Sequence, residues 1–338
     1  MIKEALAKLA DRTDLSASEA ETVMLEIMDG AATPAQMAAY LMGLRQKGET
    51  VAEVVGSVNA MRSRAMRIRV GSSIVVDTCG TGGDGADTFN ISTTAAFVVA
   101  GADITVAKHG NCSVSSRSGS ADVLSALGVK IDLDPRQVAD CIDEVGIGFL
   151  FAPLYHGAMK QCAGVRHEMG IRTILNVLGP LANPAGATHQ VLGVYDVKWT
   201  DILGRVLLEL GSQHCFVIHG LDGLDEITLS NRTKVSEGKS GVVSSYFIEP
   251  EEFEVRRTAR KEFAGGSPEE NARMTKEILQ GRKGPRRDIV CLNAAPALIV
   301  GQKAKTLQDG FRLAQQTIDS GAAEEKLDRL IAFTRKHD

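Results

Sequence analysis

Asp77-Thr-Cys-Gly-Thr-Gly-Gly-Asp-Gly85 places glycines at 80, 82, 83 and 85 directly behind a short apolar run. Glycine tolerates positive φ and close backbone approach, so successive N–H groups can converge on one anion, and the segment reads as a phosphate cradle. It is not a P-loop, because no Gly-Lys-Ser/Thr follows, and Gly80-x-Gly82 runs into Gly83 and Gly85 instead of the dinucleotide spacing. A flexible turn is the plainer alternative. Asn90-Ile-Ser-Thr93 comes next, at the expected start of a helix over 92–100, where first-turn amides carry partial positive charge and hold anions. A simple N-cap by Asn90 or Ser92 explains the same residues.

Lys108-His-Gly-Asn-Cys-Ser-Val-Ser-Ser116 follows a second apolar run, and Arg117, Ser118 and Ser120 lead into another helix. A point charge, a glycine and five serines on one connection suit a multiply phosphorylated ligand. His109 alone carries no argument, since a neutral, packed imidazole is its commoner fate. Asp222-Gly-Leu-Asp-Glu226 offers adjacent carboxylates, Asp225 and Glu226, able to hold Mg²⁺, which takes one or two carboxylates together with waters and phosphate oxygens. All four segments leave the carboxyl ends of expected parallel strands, the ligand edge of an open α/β sheet. No Ser-His-Asp order, no HExxH and no activated cysteine setting is legible, so no covalent catalyst is expected.

The elements that must position these residues fall into two kinds. Residues 1 to about 68 read as three to four helices, with capping-box spacing at Ser16/Glu19, Thr33/Gln36 and Thr50/Glu53, and Pro34 at a first helical position. From Ser72, strands at 74–76, 104–107, 149–151, 191–195 and 215–219 alternate with helices at 92–100, 119–127 and 199–210, which argues for a parallel sheet buried on both faces. A hairpin is expected over 227–255, with turn chemistry at Glu237-Gly238 and Lys239-Ser240-Gly241, and helices return over 267–336, where Gly281–Arg287 is the strongest loop signal.

Composition sets outer bounds. With 338 residues, 44% hydrophobic and 24% charged, the chain is globular, and single cores rarely grow past about 250–300 residues, so two domains are expected. A formal charge of −4 leaves no basic excess for nucleic acid. Six cysteines without a CxxC pair disfavour a disulfide framework or zinc knuckle, and the first residues have neither a signal-peptide core nor the length of a membrane span. A cytoplasmic location is expected, with no membrane partner.

Taken in order, GTGGDG, NIST, KHGN-x-SVSSRSGSAD, AP-x-x-H with VRHEMGIRT, NVLGPLANPA and LDE resemble the anthranilate phosphoribosyltransferase family, and the helical start and the AGGSPEEN and NAAPAL stretches extend the similarity over nearly the whole chain. The resemblance implies a small N-terminal helical domain, 1–70, joined by a helical segment near 160–185, and a larger α/β domain, 71–338, with a mainly parallel central sheet of the nucleoside phosphorylase type. It implies a homodimer through the helical domains. Its reaction joins anthranilate to 5-phospho-α-D-ribose 1-diphosphate (PRPP) and releases pyrophosphate, in tryptophan biosynthesis.

Carried over residue by residue, Gly80, Gly83, Asp84, Thr88, Asn90, Ile91, Ser92 and Thr93 contact the phosphoribosyl donor, and Lys108, His109, Gly110, Asn111, Cys112, Ser113, Val114, Ser115, Ser116 and Ser120 hold its phosphates. Lys108 also stabilises the leaving group. Gly80, Asn111 and Arg166 face anthranilate, with Arg166 suited to its carboxylate. Ser92, Asp225 and Glu226 bind Mg²⁺. The chain departs from the family at Cys112, where Arg is common, and at Gly157, where proline is usual; the first removes a positive charge beside the phosphates and the second loosens the loop bearing His156. Two rivals are weaker: a pyrimidine-nucleoside phosphorylase would carry KHSTGG and need no LDE pair, and a nucleic-acid-binding relative would need a basic groove.

Overall fold

A computed structural model describes residues 1–113 and 117–336. Four helices open the chain: α1 (Ile2–Ala10), α2 (Ala17–Met28), α3 (Pro34–Lys47) and α4 (Val51–Arg64). The last three begin on the expected capping boxes. Ser16, Thr33 and Thr50 each accept the amide three residues on at 3.3 Å, while Glu19, Gln36 and Glu53 reach back to the cap amides at 2.9–3.0 Å.

Strands and helices then alternate: β1 (Val75–Gly80), α5 (Ile91–Gly101), β2 (Thr105–Gly110), α6 (Ser120–Leu127), α7 (Pro135–Val145), β3 (Ile147–Phe151), the short helices α8 (Ala152–Tyr155), α9 (Ala163–Met169) and α10 (Leu175–Leu178), β4 (His189–Gly193), α11 (Trp199–Glu209) and β5 (His214–Gly220). A hairpin of β6 (Thr233–Lys239) and β7 (Val242–Ile248) precedes α12 (Pro268–Leu279), α13 (Pro285–Val300), α14 (Leu307–Asp319) and α15 (Ala322–Arg335). The seven strands form one sheet in the order β3-β2-β1-β4-β5-β6-β7, parallel through β5 and antiparallel in the hairpin.

Side chains alternate across a strand, and here the alternation feeds two cores. Val191, Phe216 and Ile218 join α5, α13 and α15 on one face. Leu192, Cys215 and Val217 join α11 and the N-terminal helices on the other, in a core that also takes Cys162, Ile174 and Leu178. The helical unit is therefore sealed by residues from the middle of the chain.

Several boundaries differ from the sequence expectation. β1 and β2 run on past their apolar residues, so Asp77 and Thr78 lie within β1, and Lys108 and His109 lie in β2 instead of a loop. Burial of Lys108 and Asp77 is possible because Lys108 Nζ donates to Thr78 O and Asp77 accepts the His109 main-chain N–H across the strand pair. β4 begins and ends two residues earlier than 191–195. The hairpin turns only at Ser240-Gly241, at φ +51° and +80°, while Gly238 stays in β6, where a Cβ would come 2.7 Å from Cys215 Sγ. Pro285 opens α13, so only the first half of Gly281–Arg287 is a loop.

Candidate active site

The glycine loop leaves β1 at the carboxyl edge of the sheet. Gly82, Gly83 and Gly85 adopt φ of +62°, +73° and +69°, the left-handed region that other residues enter at a cost. Gly80 has a different requirement, because a Cβ there would lie 2.4 Å from Asp225 Oδ2. The loop is bound to the same carboxylate: Gly82 N–H donates to Asp225 Oδ2 at 2.8 Å. Asp84 turns back to accept the Ala86 amide at 3.0 Å, and Thr88 bridges to Ala264.

Asn90 precedes α5 without capping it by its side chain. Its amide instead donates to Ser118 O at 3.1 Å, and its oxygen accepts from the buried Asn271 at 3.0 Å. In the first turn of α5, Ile91 N–H donates to Phe89 O at 2.8 Å and Ser92 N–H donates to Glu226 Oε1 at 3.1 Å. Ser92 and Glu226 are thus in direct contact, through the Ser92 main-chain amide. Asp222 does not join them; its carboxylate accepts the hydroxyls of Thr228, at 2.7 Å, and Ser230.

Three carboxylates crowd this corner. Loss of hydration, then the neighbouring Asp84, pushes Asp225 up to about 7, and burial, then Asp225, pushes Glu226 up to about 8 against the pull of Lys108. Lys108 is buried in the floor, its Nζ 2.5 Å from Thr78 O, and burial lowers its pKa against the attraction of Asp77, Cys79 and Glu226. Asp77, itself pushed up to about 6 by burial, accepts from Asn183 Nδ2 at 2.8 Å and His109 N–H at 3.2 Å.

His109 is neutral, its pKa driven down to about 3 by burial, and its ring meets that of His156 edge-on at 5.1 Å between centroids. Beyond β2, Asn111 is exposed, with Oδ1 on the Cys112 amide at 2.8 Å and its carbonyl on Ser120 Oγ at 3.2 Å. Gly110 sits where a Cβ would fall 2.1 Å from Ser120 Oγ. Asp122 accepts the amides of Ser113 and Gly119 at 3.0 and 2.7 Å, and burial followed by this carboxylate raises the Cys112 thiol. Val114, Ser115 and Ser116 lie outside the described residues. Arg166 is exposed on α9, which packs on α3. Gly157 begins a 3-10 turn directly after His156, and a Cβ there would meet nothing within 4 Å.

The structure therefore gathers Gly80, Gly82, Ser92, Lys108, Asp225 and Glu226 at one point, and Gly110, Asn111 and Ser120 at the end of the adjacent strand. Sequence reasoning missed Asp77, Asn183, Asn271, Gly193 and Arg172. Each acts through a partner far along the chain, which no local spacing marks. Among the described residues, no cluster of three His, Cys, Asp or Glu side chains is arranged to hold a metal ion by itself. Asp225 and Glu226 fit a cation that takes few protein ligands and completes its shell with phosphate oxygens and water, as Mg²⁺ does.

Residues 3–65 match the glycosyl transferase family helical bundle domain, and residues 72–324 match the glycosyl transferase family a/b domain. The chain is 57% identical over 334 residues to anthranilate phosphoribosyltransferase of Anaeromyxobacter dehalogenans (strain 2CP-C), covering 99% of each chain. Among solved structures it resembles that enzyme from Thermus thermophilus, with a TM-score of 0.92, 40% identity and coverage of 98% of this chain and 99% of the other. It also resembles the Saccharomyces cerevisiae enzyme in complex with PRPP and Mg, with a TM-score of 0.89, 26% identity and coverage of 99% and 98%.

Proposed function

The chain belongs to the anthranilate phosphoribosyltransferase family, and we propose that the corner where Asp225 and Glu226 meet the glycine loop and the first turn of α5 is where it works. The enzyme transfers the phosphoribosyl group of PRPP to the amine of anthranilate, giving N-(5-phosphoribosyl)anthranilate and pyrophosphate in tryptophan biosynthesis, and it uses Mg²⁺. The observation that carries the site assignment is the pair of contacts from Gly82 and Ser92 amides to adjacent carboxylates at the carboxyl edge of the sheet.

Displacement at an anomeric carbon with a strongly anionic leaving group develops positive charge on the sugar and negative charge on pyrophosphate. Mg²⁺ held by Ser92, Asp225 and Glu226 supplies charge that stabilises the pyrophosphate. The glycine loop from Gly80 to Thr88, the turn from Asn90 to Thr93, and the segment from Lys108 to Ser116 with Ser120 bind the donor. Lys108 acts on it from within β2, through its charge. The aromatic amine is neutral at pH 7, so no strong base is required, and alignment of amine and anomeric carbon recovers about 7–11 kcal/mol of the barrier.

Asn111, Gly80 and Arg166 take anthranilate. Replacing Arg166 by Ala raises the anthranilate KM by about tenfold or more, the loss of a paired charge-assisted contact, and leaves the PRPP KM near normal. Equal damage to both ligands contradicts the assignment. Replacing Cys112 by Arg restores a positive charge, but beside Asp122, so a gain in PRPP affinity of no more than about fivefold is expected; a marked loss means that the loop has been rebuilt around cysteine. The reading as a whole is tested by anthranilate fluorescence, which falls on mixing enzyme with PRPP only when Mg²⁺ is present.

The same reading divides the chain into a helical unit, 1–70, completed by the segment near 160–185, and a transfer unit, 71–338. It makes the enzyme a cytoplasmic homodimer, paired through its helical units, with small-molecule substrates. No helix among the described residues is long and apolar enough to cross a membrane. Sedimentation of the purified enzyme reads the dimer.

A further inference from the structure

Arg172, in the bend between α9 and α10, ties three parts of the molecule together. Its main-chain carbonyl accepts from Arg45 Nη1 of α3 at 2.5 Å. Its guanidinium lies 4.4 Å over the Tyr195 ring, and its Nη2 donates to the Gly83 carbonyl oxygen. Tyr195 is bound to the same loop, because its N–H donates to Thr81 Oγ1 at 3.1 Å and Thr81 N–H donates to Gly193 O at 2.9 Å. Its phenol accepts from Trp199 Nε1 at 3.1 Å, which fixes the ring that Arg172 stacks on.

The glycine loop needs such a tie. A Cβ at Gly82 or Gly85 would meet nothing within 4 Å, so side-chain packing does not hold these positions. A trans peptide is planar, with its carbonyl and N–H on opposite sides. Drawing the Gly83 carbonyl to Arg172 therefore turns the Asp84 N–H to the other side, as one of the successive amides of an anion cradle.

We propose that Arg172 is a positioning residue that sets the Gly83–Asp84 peptide for the phosphoribosyl donor and couples that setting to the seating of α3 and the helical unit. This rests on the assignment of the glycine loop to PRPP. A guanidinium can stack on a ring and donate from its edge at once, whereas an ammonium cannot do both. Arg172 is exposed, so its removal opens no hole in a core.

The test compares Arg172→Ala and Arg172→Lys with the unaltered enzyme, reading kcat, both KM values and the melting temperature. Both variants raise the PRPP KM by about tenfold, keep the anthranilate KM within about twofold and melt within about 2 °C of the parent, and added guanidinium ion partly restores the alanine variant. An unchanged PRPP KM, an equal rise in both KM values, or full function of the lysine variant overturns the proposal. Failure of the unaltered enzyme to consume anthranilate overturns the functional reading instead. Calorimetric titration with PRPP then decides on its own whether Arg172 sets donor affinity.

Discussion

Asp225→Asn combined with Glu226→Gln lowers Mg²⁺-dependent turnover on the order of a thousandfold while leaving the fold intact. Amide oxygens still accept from Gly82 and Ser92, so both anchoring contacts survive the change. What disappears is the negative charge that draws the cation. Stability without metal moves the other way. The folded enzyme holds Asp225 at about 7 and Glu226 at about 8, against ordinary values of 3.8 and 4.5. A carboxyl whose folded pKa is raised contributes stability that is complete below its unfolded pKa and lost as pH rises through the folded value. The unaltered enzyme therefore weakens between about pH 4 and pH 8 through these groups, and the double variant does not. At pH 8.5 without Mg²⁺ the variant is more stable by at least about 1 kcal/mol. Added Mg²⁺ raises the melting temperature of the unaltered enzyme more at pH 8.5 than at pH 6, because protons compete for the same oxygens, and does nothing to the variant. Wild-type turnover in the double variant removes the metal role from this pair.

Local rules carried the sequence reading where the chain settles its own hydrogen bonds. The three N-terminal capping boxes are spelled within four residues each, and all three form. The same spelling at Asp134 and Gln137, with Pro135 between them, opens α7. A reading led by apolar runs passes over it, because this helix buries only Val138, Cys141, Ile142 and Val145 amid charged neighbours. The site divided along the same line. Glycines at positive φ and the start of a helix are properties of the local backbone, and the conformation of the glycine loop and the start of α5 are legible for that reason. Lys108 and Asp77 were not legible as strand residues. Their burial depends on Thr78, Asn183 and each other, and on strand pairing that no window of sequence contains.

Gly193→Ala is expected to lower kcat/KM by about a hundredfold or more, although Gly193 contacts no substrate in the assignment. Gly80 and Gly193 are register partners at the ends of β1 and β4, and the Asp225 segment lies across both. A Cβ on Gly193 would fall 1.6 Å from Asp225 O and 2.7 Å from its carbonyl carbon. Backbone cannot rotate away as a side chain can, so the whole Asp225-Glu226 turn must lift from the sheet edge, and a displacement of about 1 Å is enough to cost that factor. At Gly80 the obstruction is the Asp225 carboxylate itself, at 2.4 Å, which can swing aside at the expense of its contact with Gly82. Gly80→Ala should therefore displace the Asp225-Glu226 turn less than Gly193→Ala, and in both variants the Mg²⁺ concentration needed for half-maximal rate rises. Full activity in Gly193→Ala means that the turn works equally well when displaced, and the tight seating of Asp225 on two glycines then has no part in catalysis.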